Sequence, residues 1–362
     1  MTTLTQPGAG AAMATPDASV RPVLSVEDLR AYYVLDLFGV KREVRAVDDI
    51  SIRIMPNEIY GIAGESSSGK TSLIKTIAGA IQPPLTVVGG KVHFDFRGKS
   101  IDLYSGAPAD LDAIRWRHLS YIMQGSMNVL NPVRRVRQAF IDFAARHIAA
   151  PSRRAFEEVV VAHLDRLHLS PHVLDAYPHE LSGGMRQRVT IALATVCKPE
   201  FIIADEPTTA LDVVVQKRVL AMIREVQREI GSSLLFVTHD MSVHANLCDR
   251  LGIMYAGRLV EEGATSDLFA SPKHPYTQHL ISSLPRIGDR TPREGLKGTP
   301  PNLADPPPGC RFHPRCPMAM EVCRTVVPPF VTAGKGRRVA CFAAEPETIP
   351  DGIANATRSI AA

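Results

Sequence analysis

No stretch of this sequence stays apolar for the roughly 20 residues that a bilayer-spanning helix needs. The start also lacks the basic residues and apolar core of a signal peptide. Residues 1–22, rich in Ala, Thr, Gly and Pro, read instead as a disordered tail. Net charge is small: 41 Lys and Arg face 37 Asp and Glu, a balance of +4, which gives no basis for holding nucleic acid or a membrane surface by charge. Cysteine is sparse, six in 362 residues, and no pair has the short C-x2–4-C spacing of zinc ribbons and fingers. Without an export signal, six cysteines point to a reducing compartment, where clustered thiols bind metal more often than they form disulfides. The remaining composition, 45% apolar and 22% charged, is that of a globular protein, long enough for two domains with one of them large.

The most specific stretch is Gly64-Glu65-Ser66-Ser67-Ser68-Gly69-Lys70-Thr71, which fits G-x-x-x-x-G-K-[ST], the loop that cradles nucleotide phosphates. Ile59–Ala63 precedes it as a buried strand, and Ser72–Ala80 follows with helical spacing. In that setting backbone N–H groups and the positive helix end face the phosphate oxygens. Lys70 is placed to reach the β- and γ-phosphates and the Thr71 hydroxyl to hold Mg²⁺, with Ser72 closing the nucleotide-binding run.

Around this loop the chain alternates strands and helices. Val23–Ala31 and Ala46–Ile54 read as half-buried strands, with Tyr32-Tyr33 between them placed either to pack on the sheet or to stack on a base. Gly89–Leu103 is strand-like with glycine breaks. Tyr121–Gln124 is a strand running into a polar turn, where Gln124 is a candidate Mg²⁺ or water ligand. Val136–Ala149 and Arg153–Leu169 read as two amphipathic helices inserted into the α/β pattern. Ser182 is an N-cap for a helix through Cys197, and Gly183-Gly184 allows close backbone approach to an anion. Phe201–Ala204 is a buried parallel strand ending in Asp205-Glu206. Two adjacent carboxylates at such a strand end suit Mg²⁺ held through water by Asp205 and a water polarised by Glu206. Ser233–Val237 is another buried strand, with His239 just past its end.

With these pieces in this order, residues 23–270 resemble the ATP-binding subunit of an ABC transporter. Gly64–Thr71 matches its phosphate loop, Gln124 the glutamine loop, and Leu181–Gln187 the signature. Phe201–Glu206 matches the Walker B strand with its catalytic glutamate, Ala210–Asp212 the D-loop, and His239 the switch histidine. The resemblance implies a P-loop α/β fold with an inserted helical subdomain at about 130–190. It also implies that Tyr33 stacks on adenine, and that Lys70, Gln124, Glu206 and His239 serve ATP hydrolysis. Ser182, Gly183 and Gly184 are then expected to face the ATP of a second cassette. Soluble relatives acting on nucleic acid carry a long coiled-coil insertion or a tandem second ATPase domain, and neither is seen here. A small-molecule P-loop kinase would leave the Ser182–Arg188 signature and His239 without roles.

The residues after Ala270 narrow the likeness. Ser271–Thr277 and the later Pro-Pro-Gly-Cys-Arg-Phe-His-Pro-Arg-Cys-Pro resemble the C-terminal extension, here 271–362, of oligopeptide and dipeptide importer ATPases. The implied partners are a second ATPase of paralogous type, two permease subunits and an extracytoplasmic solute-binding protein, with the chain peripheral on the cytoplasmic face of the membrane. Cys310, Cys316, Cys323 and Cys341 are spaced C-x5-C-x6-C-x17-C. In the family this extension can carry a [4Fe–4S] cluster on such cysteines; Zn²⁺ and free thiols are the alternatives. Cys197 and Cys248 are expected to be buried small hydrophobes. Two departures stand out. Ser67 replaces the family's usual glycine, which costs on the order of 1 kcal/mol if φ there is positive. Gln124-Gly125-Ser126-Met127-Asn128 differs from many peptide importers and resembles relatives that import oligosaccharides, so that solute stays beside peptide as an alternative.

Overall fold

A computed structural model describes residues 20–37, 39–104, 111–125, 129–209, 211–284, 295–334 and 336–349. Most of the expected N-terminal tail, Ser126–Asn128 of the departing segment and Ala210 of the D-loop lie outside these residues.

The chain runs β1 (Leu24–Leu37), β2 (Val40–Ile54), β3 (Ile59–Ala63), α1 (Lys70–Ile77), β4 (Leu85–Phe96), β5 (Lys99–Asp102) and β6 (Leu119–Ile122). Three helices follow, α2 (Val136–Ala144), α3 (Arg153–Arg166) and α4 (Gly183–Thr195). Next come β7 (Phe201–Asp205), α5 (Val213–Ile230), β8 (Ser233–Val237), α6 (Met241–Leu247), β9 (Arg250–Tyr255) and β10 (Arg258–Ala264). The last elements are α7 (Thr265–Ala270), α8 (Pro275–Ser282), α9 (Val322–Thr325), β11 (Val331–Thr332) and β12 (Arg338–Val339). The first of the expected amphipathic helices stops at Ala144, not Ala149, because His147 and Ile148 both turn their N–H groups back onto the Ala144 carbonyl.

β3, β7 and β8 are buried at every position, as continuous apolar runs covered on both faces must be. They lie in the parallel part of a sheet ordered β11-β12-β10-β9-β3-β8-β7-β6. Register sets the site: Ile62 pairs with Val237, and Val237 pairs with Asp205. The loops leaving β3, β7 and β8 therefore emerge side by side at one edge, the carboxyl edge where α/β sheets bind ligands. A second, antiparallel sheet, β2-β1-β4-β5, packs across α1 and the main sheet through Leu29, Ile50, Leu73, Ile74 and Phe94. The opposite face is covered by α2 to α6, through residues such as Phe140, Leu164, Val189 and Met222. Among the described residues, no helix is long and apolar enough to cross a membrane.

The C-terminal segment is joined to this body by main-chain pairing and buried charge. β12 pairs with β10, Glu261 opposite Val339 and Glu262 opposite Arg338, so the extension adds strands to the main sheet. Arg337 binds Glu261, Arg338 binds Glu262 at 2.8 Å, and Arg311 binds Asp48, which also takes Arg258 at 3.1 Å. An aromatic cluster of Tyr255, Tyr276 and Phe312 closes the seam, with ring centroids 4.7 to 5.4 Å apart.

Gly61 shows how tightly α6 lies on β3. A methyl group there would stand 2.6 Å from His244 Nδ1 and 2.7 Å from Cys248 Sγ, both on or beside a buried helix. Gly61→Ala should cost about 1–3 kcal/mol by overpacking, read as a lower midpoint in urea or thermal unfolding. An unchanged midpoint would mean that this contact is looser than described.

Candidate functional site

The phosphate loop takes the shape its glycines permit. Gly64 has φ +154° and Gly69 φ +101°, and a Cβ on either would stand 2.1 Å from the Met254 carbonyl or 1.9 Å from that of Ala46. Ser67 does adopt a left-handed conformation, φ 63°, so the strain expected of a non-glycine residue there is present. Gly69 forms the N-cap of α1 with no side-chain cap, and the first turn carries no acidic residue. Its amide groups are thus left for an anion. Ser66 and Ser67 are exposed on the loop, while Ser68 is buried.

Lys70 folds back into its own loop, donating to the carbonyls of Gly64 and Glu65 at 2.8 and 2.7 Å and to Ser68 Oγ at 3.3 Å. Burial lowers its pKa to about 8, against the upward pull of Glu206, Asp205 and Glu65. Across the cleft, Asp205 is 1% exposed, and neither carboxylate oxygen has a hydrogen-bond partner. Burial, with the neighbouring Glu206 charge, raises its pKa to about 6. A buried carboxylate with two orphaned oxygens is a donor suited to a hard divalent cation such as Mg²⁺.

Glu206 sits at φ 47°, a strained conformation that turns its carboxylate out of the strand line. Gln124 Nε2 donates to it at 3.3 Å, Thr209 Oγ1 donates at 2.9 Å, and His239 Nδ1 stands 3.2 Å away. Burial pushes its pKa up, yet the hydrogen bonds from His239, Thr209 and Gln124 outweigh it and hold the group below its ordinary value. Glu206 is therefore an ionised acceptor at neutral pH, positioned by three neighbours.

One open cleft gathers Tyr33, Val44, Ala46, Ser66, Ser67, Gly69, Lys70, Thr71, Ser72, Gln124, Glu206, Val237, His239 and Leu303. Tyr33 is tied to it by its hydroxyl, 3.1 Å from Ser72 Oγ. The neighbouring Tyr32 turns away and bonds Asp48. Gly64, Glu65, Ser68 and Asp205 are not among its lining residues. Ser182, Gly183 and Gly184 are not among the lining residues: Ser182 caps α4 through Met185 N, and Gly184 lies against Val215. Sequence reasoning missed Thr209 and Leu303. Thr209 lies three residues past Glu206 and could have been suspected from that spacing. Leu303 is far away in the chain and carries no local signal.

The four extension cysteines come near one another. Burial raises the Cys310 thiol to about 12, with Cys323, Cys341 and Cys316 adding to the shift. The backbone N–H of Cys310 also donates to the Cys323 carbonyl at 2.8 Å. His313 Nδ1 is spent on the Cys310 carbonyl at 2.9 Å. Among the described residues, however, no three His, Cys, Asp or Glu side chains draw close enough to hold a metal ion. Cys248 is buried in the core, and Cys197 is half-buried against it.

Comparison with known proteins agrees with this layout. Residues 47–209 match the family model for ABC transporters, and residues 260–323 match that of the oligopeptide/dipeptide transporter C-terminal region. The dipeptide transport ATP-binding protein DppD of Caldanaerobacter subterraneus subsp. tengcongensis is 38% identical over 321 residues, covering 88% of this chain and 96% of that one. The oligopeptide transport ATP-binding protein AppD of Bacillus subtilis is 38% identical over 328 residues, covering 90% and 98%. Among solved structures, the dimeric ABC transporter cassette MJ0796 superposes with a TM-score of 0.56 at 23% identity, covering 67% of this chain and 98% of that one, a likeness of fold.

Lys70 yields a pH test. With a pKa near 8 it is charged below that pH, and a bound polyphosphate favours the charged form. Affinity for a fluorescent nucleoside triphosphate should therefore weaken as pH rises through about 8, well above the last phosphate ionisation near pH ~6. Equal affinity at pH 7 and at about pH 9.5 would contradict the shift.

Proposed function

This chain belongs to the ATP-binding subunits of ABC transporters in the oligopeptide/dipeptide group, and on that premise we propose how its residues work. It hydrolyses ATP to power a peptide importer. The observation that carries the residue assignment is Asp205, buried with both oxygens unpartnered and under the charges of Lys70 and Glu206, which do line the cleft. In our reading the loop amides and Lys70 bind the ATP phosphates, and Tyr33 takes the adenine. Thr71, Gln124 and Asp205 hold Mg²⁺, which when bound neutralises phosphate charge. Glu206 accepts a proton from the attacking water while His239 and Gln124 keep its carboxylate aimed. Ser182, Gly183 and Gly184, which do not line this cleft, serve the ATP of a second, paralogous cassette.

The helices at about 130–190 form an inserted subdomain. Beside Gln124, Trp116, Met123, Val129, Leu130, Arg134 and Phe143 line an apolar groove of about 390 Å³. Met123, Val129 and Phe143 are exposed there. We assign it to a permease segment, which places the chain peripherally on the cytoplasmic face, with a solute-binding protein delivering from outside. Oligosaccharide remains the alternative solute, and the segment that raised it falls largely outside the described residues.

In the extension, 271–362, we propose a [4Fe–4S] cluster on Cys310, Cys316, Cys323 and Cys341. The local core is small, with Val322, Cys323 and Phe342 its fully buried members, so a cross-link supplies order that burial does not. Four thiolates suit such a cluster, and Zn²⁺ at about 2.3 Å from each sulfur is the alternative.

Two outcomes test these readings. Glu206→Gln in the assembled transporter should keep ATP binding but slow hydrolysis by about 10²–10⁴-fold; near-normal turnover would remove Glu206 as the base. Anaerobic purification should give a brown protein with about four irons per chain, bleached in Cys316→Ser. A colourless protein with one zinc would reassign the site, and one with no metal would leave ordinary thiols.

A further inference from the structure

From the contacts of Glu65 and Leu303 we infer that the C-terminal extension is a working part of the nucleotide site in the same chain: Arg315 braces the phosphate loop through Glu65, and Leu303 walls the nucleoside end. Glu65, second residue of the loop, is held at every polar group. Its carboxylate receives Arg315 Nη1 at 2.8 Å and Nη2 at 3.1 Å, its N–H donates to Tyr276 Oη at 2.8 Å, and its carbonyl accepts from Lys70 at 2.7 Å. Two of these three partners, Arg315 and Tyr276, come from the extension.

The brace is rigid. Arg315's side chain is 6% exposed, lies over the Tyr255 ring at 5.8 Å, donates to Tyr255 Oη at 3.2 Å and to the Lys297 carbonyl at 3.2 Å. A fork-on-fork pair of this kind fixes orientation as well as distance. Because the Glu65 carbonyl receives Lys70, displacing Glu65 displaces the ammonium that meets the phosphates. Leu303 is a separate contribution. Its carbonyl accepts from Arg45 N at 2.9 Å, between Val44 and Ala46, which also line the cleft. Val44 pairs across the sheet with Tyr33, so Leu303 stands on the side where the base is expected.

This inference rests on the phosphate loop being the ATP site, and the experiment separates the two. Binding of a fluorescent ATP analogue to the full-length chain is measured directly, and inorganic tripolyphosphate competes for it. Arg315→Ala should weaken ATP and tripolyphosphate alike, by about 10-fold or more, and in the assembled transporter raise KM by more than it lowers kcat. Arg315→Lys should recover part of the loss, and Glu65→Gln should reproduce it. Adding Glu65→Gln to Arg315→Ala should cost nothing further. Leu303→Ala should weaken ATP but leave tripolyphosphate unchanged. A folded Arg315→Ala and Glu65→Gln with wild-type ATP affinity overturn the brace, and Leu303→Ala weakening both ligands equally overturns the wall. Lys70→Ala serves as the control: if it binds ATP as wild type does, the phosphate-loop premise falls instead.

Discussion

A carboxylate buried with neither oxygen hydrogen-bonded is the constraint on which the site depends. Asp205 occupies that position because β7 is the interior strand whose end is level with β8 and, through it, β3. Left alone the charge is costly, and burial raises its pKa to about 6. Burial likewise lowers Lys70, which lines the cleft, to about 8. Burial thus makes both charges harder to hold, although each group stays mostly charged at neutral pH. A cation beside the carboxylate and an anion beside the ammonium would each favour the charged form.

Glu206 shows the complementary solution. One residue further along, the chain leaves the strand in a left-handed turn and places its carboxylate among Gln124, Thr209 and His239. Adjacent carboxylates thereby acquire different characters, one orphaned and raised, the other bonded and lowered. Environment, not residue type, divides the two adjacent carboxylates.

The extension extends the same logic of buried charge. Four of its arginines, Arg311, Arg315, Arg337 and Arg338, each end on a carboxylate of the main body: Asp48, Glu65, Glu261 and Glu262. Removing one partner from such a buried pair typically costs about 3–5 kcal/mol, because the other charge is stranded. These pairs do not need to add net stability to fix how the extension sits. One of them lands on the phosphate loop itself.

Much of this was legible in the chain alone. The phosphate loop, Asp205-Glu206, the capped helix at Ser182 and the buried strands were readable because each depends on a few neighbouring residues with fixed spacing. A left-handed backbone at Ser67 was raised only as a condition, from the glycine usual in the family at that position, and the loop does adopt it. The length of α2 was misjudged, since apolar spacing continues past Ala144 while the backbone turns. What sequence could not supply were pairings across long separations: Arg315 with Glu65, Leu303 beside Val44, and four thiols gathered but not drawn tight. Local patterns dictate which residues can do chemistry. Only the register of parallel strands and the docking of a distant segment decide which of them meet, because those contacts arise from burial and charge pairing that leave no periodic trace in the chain.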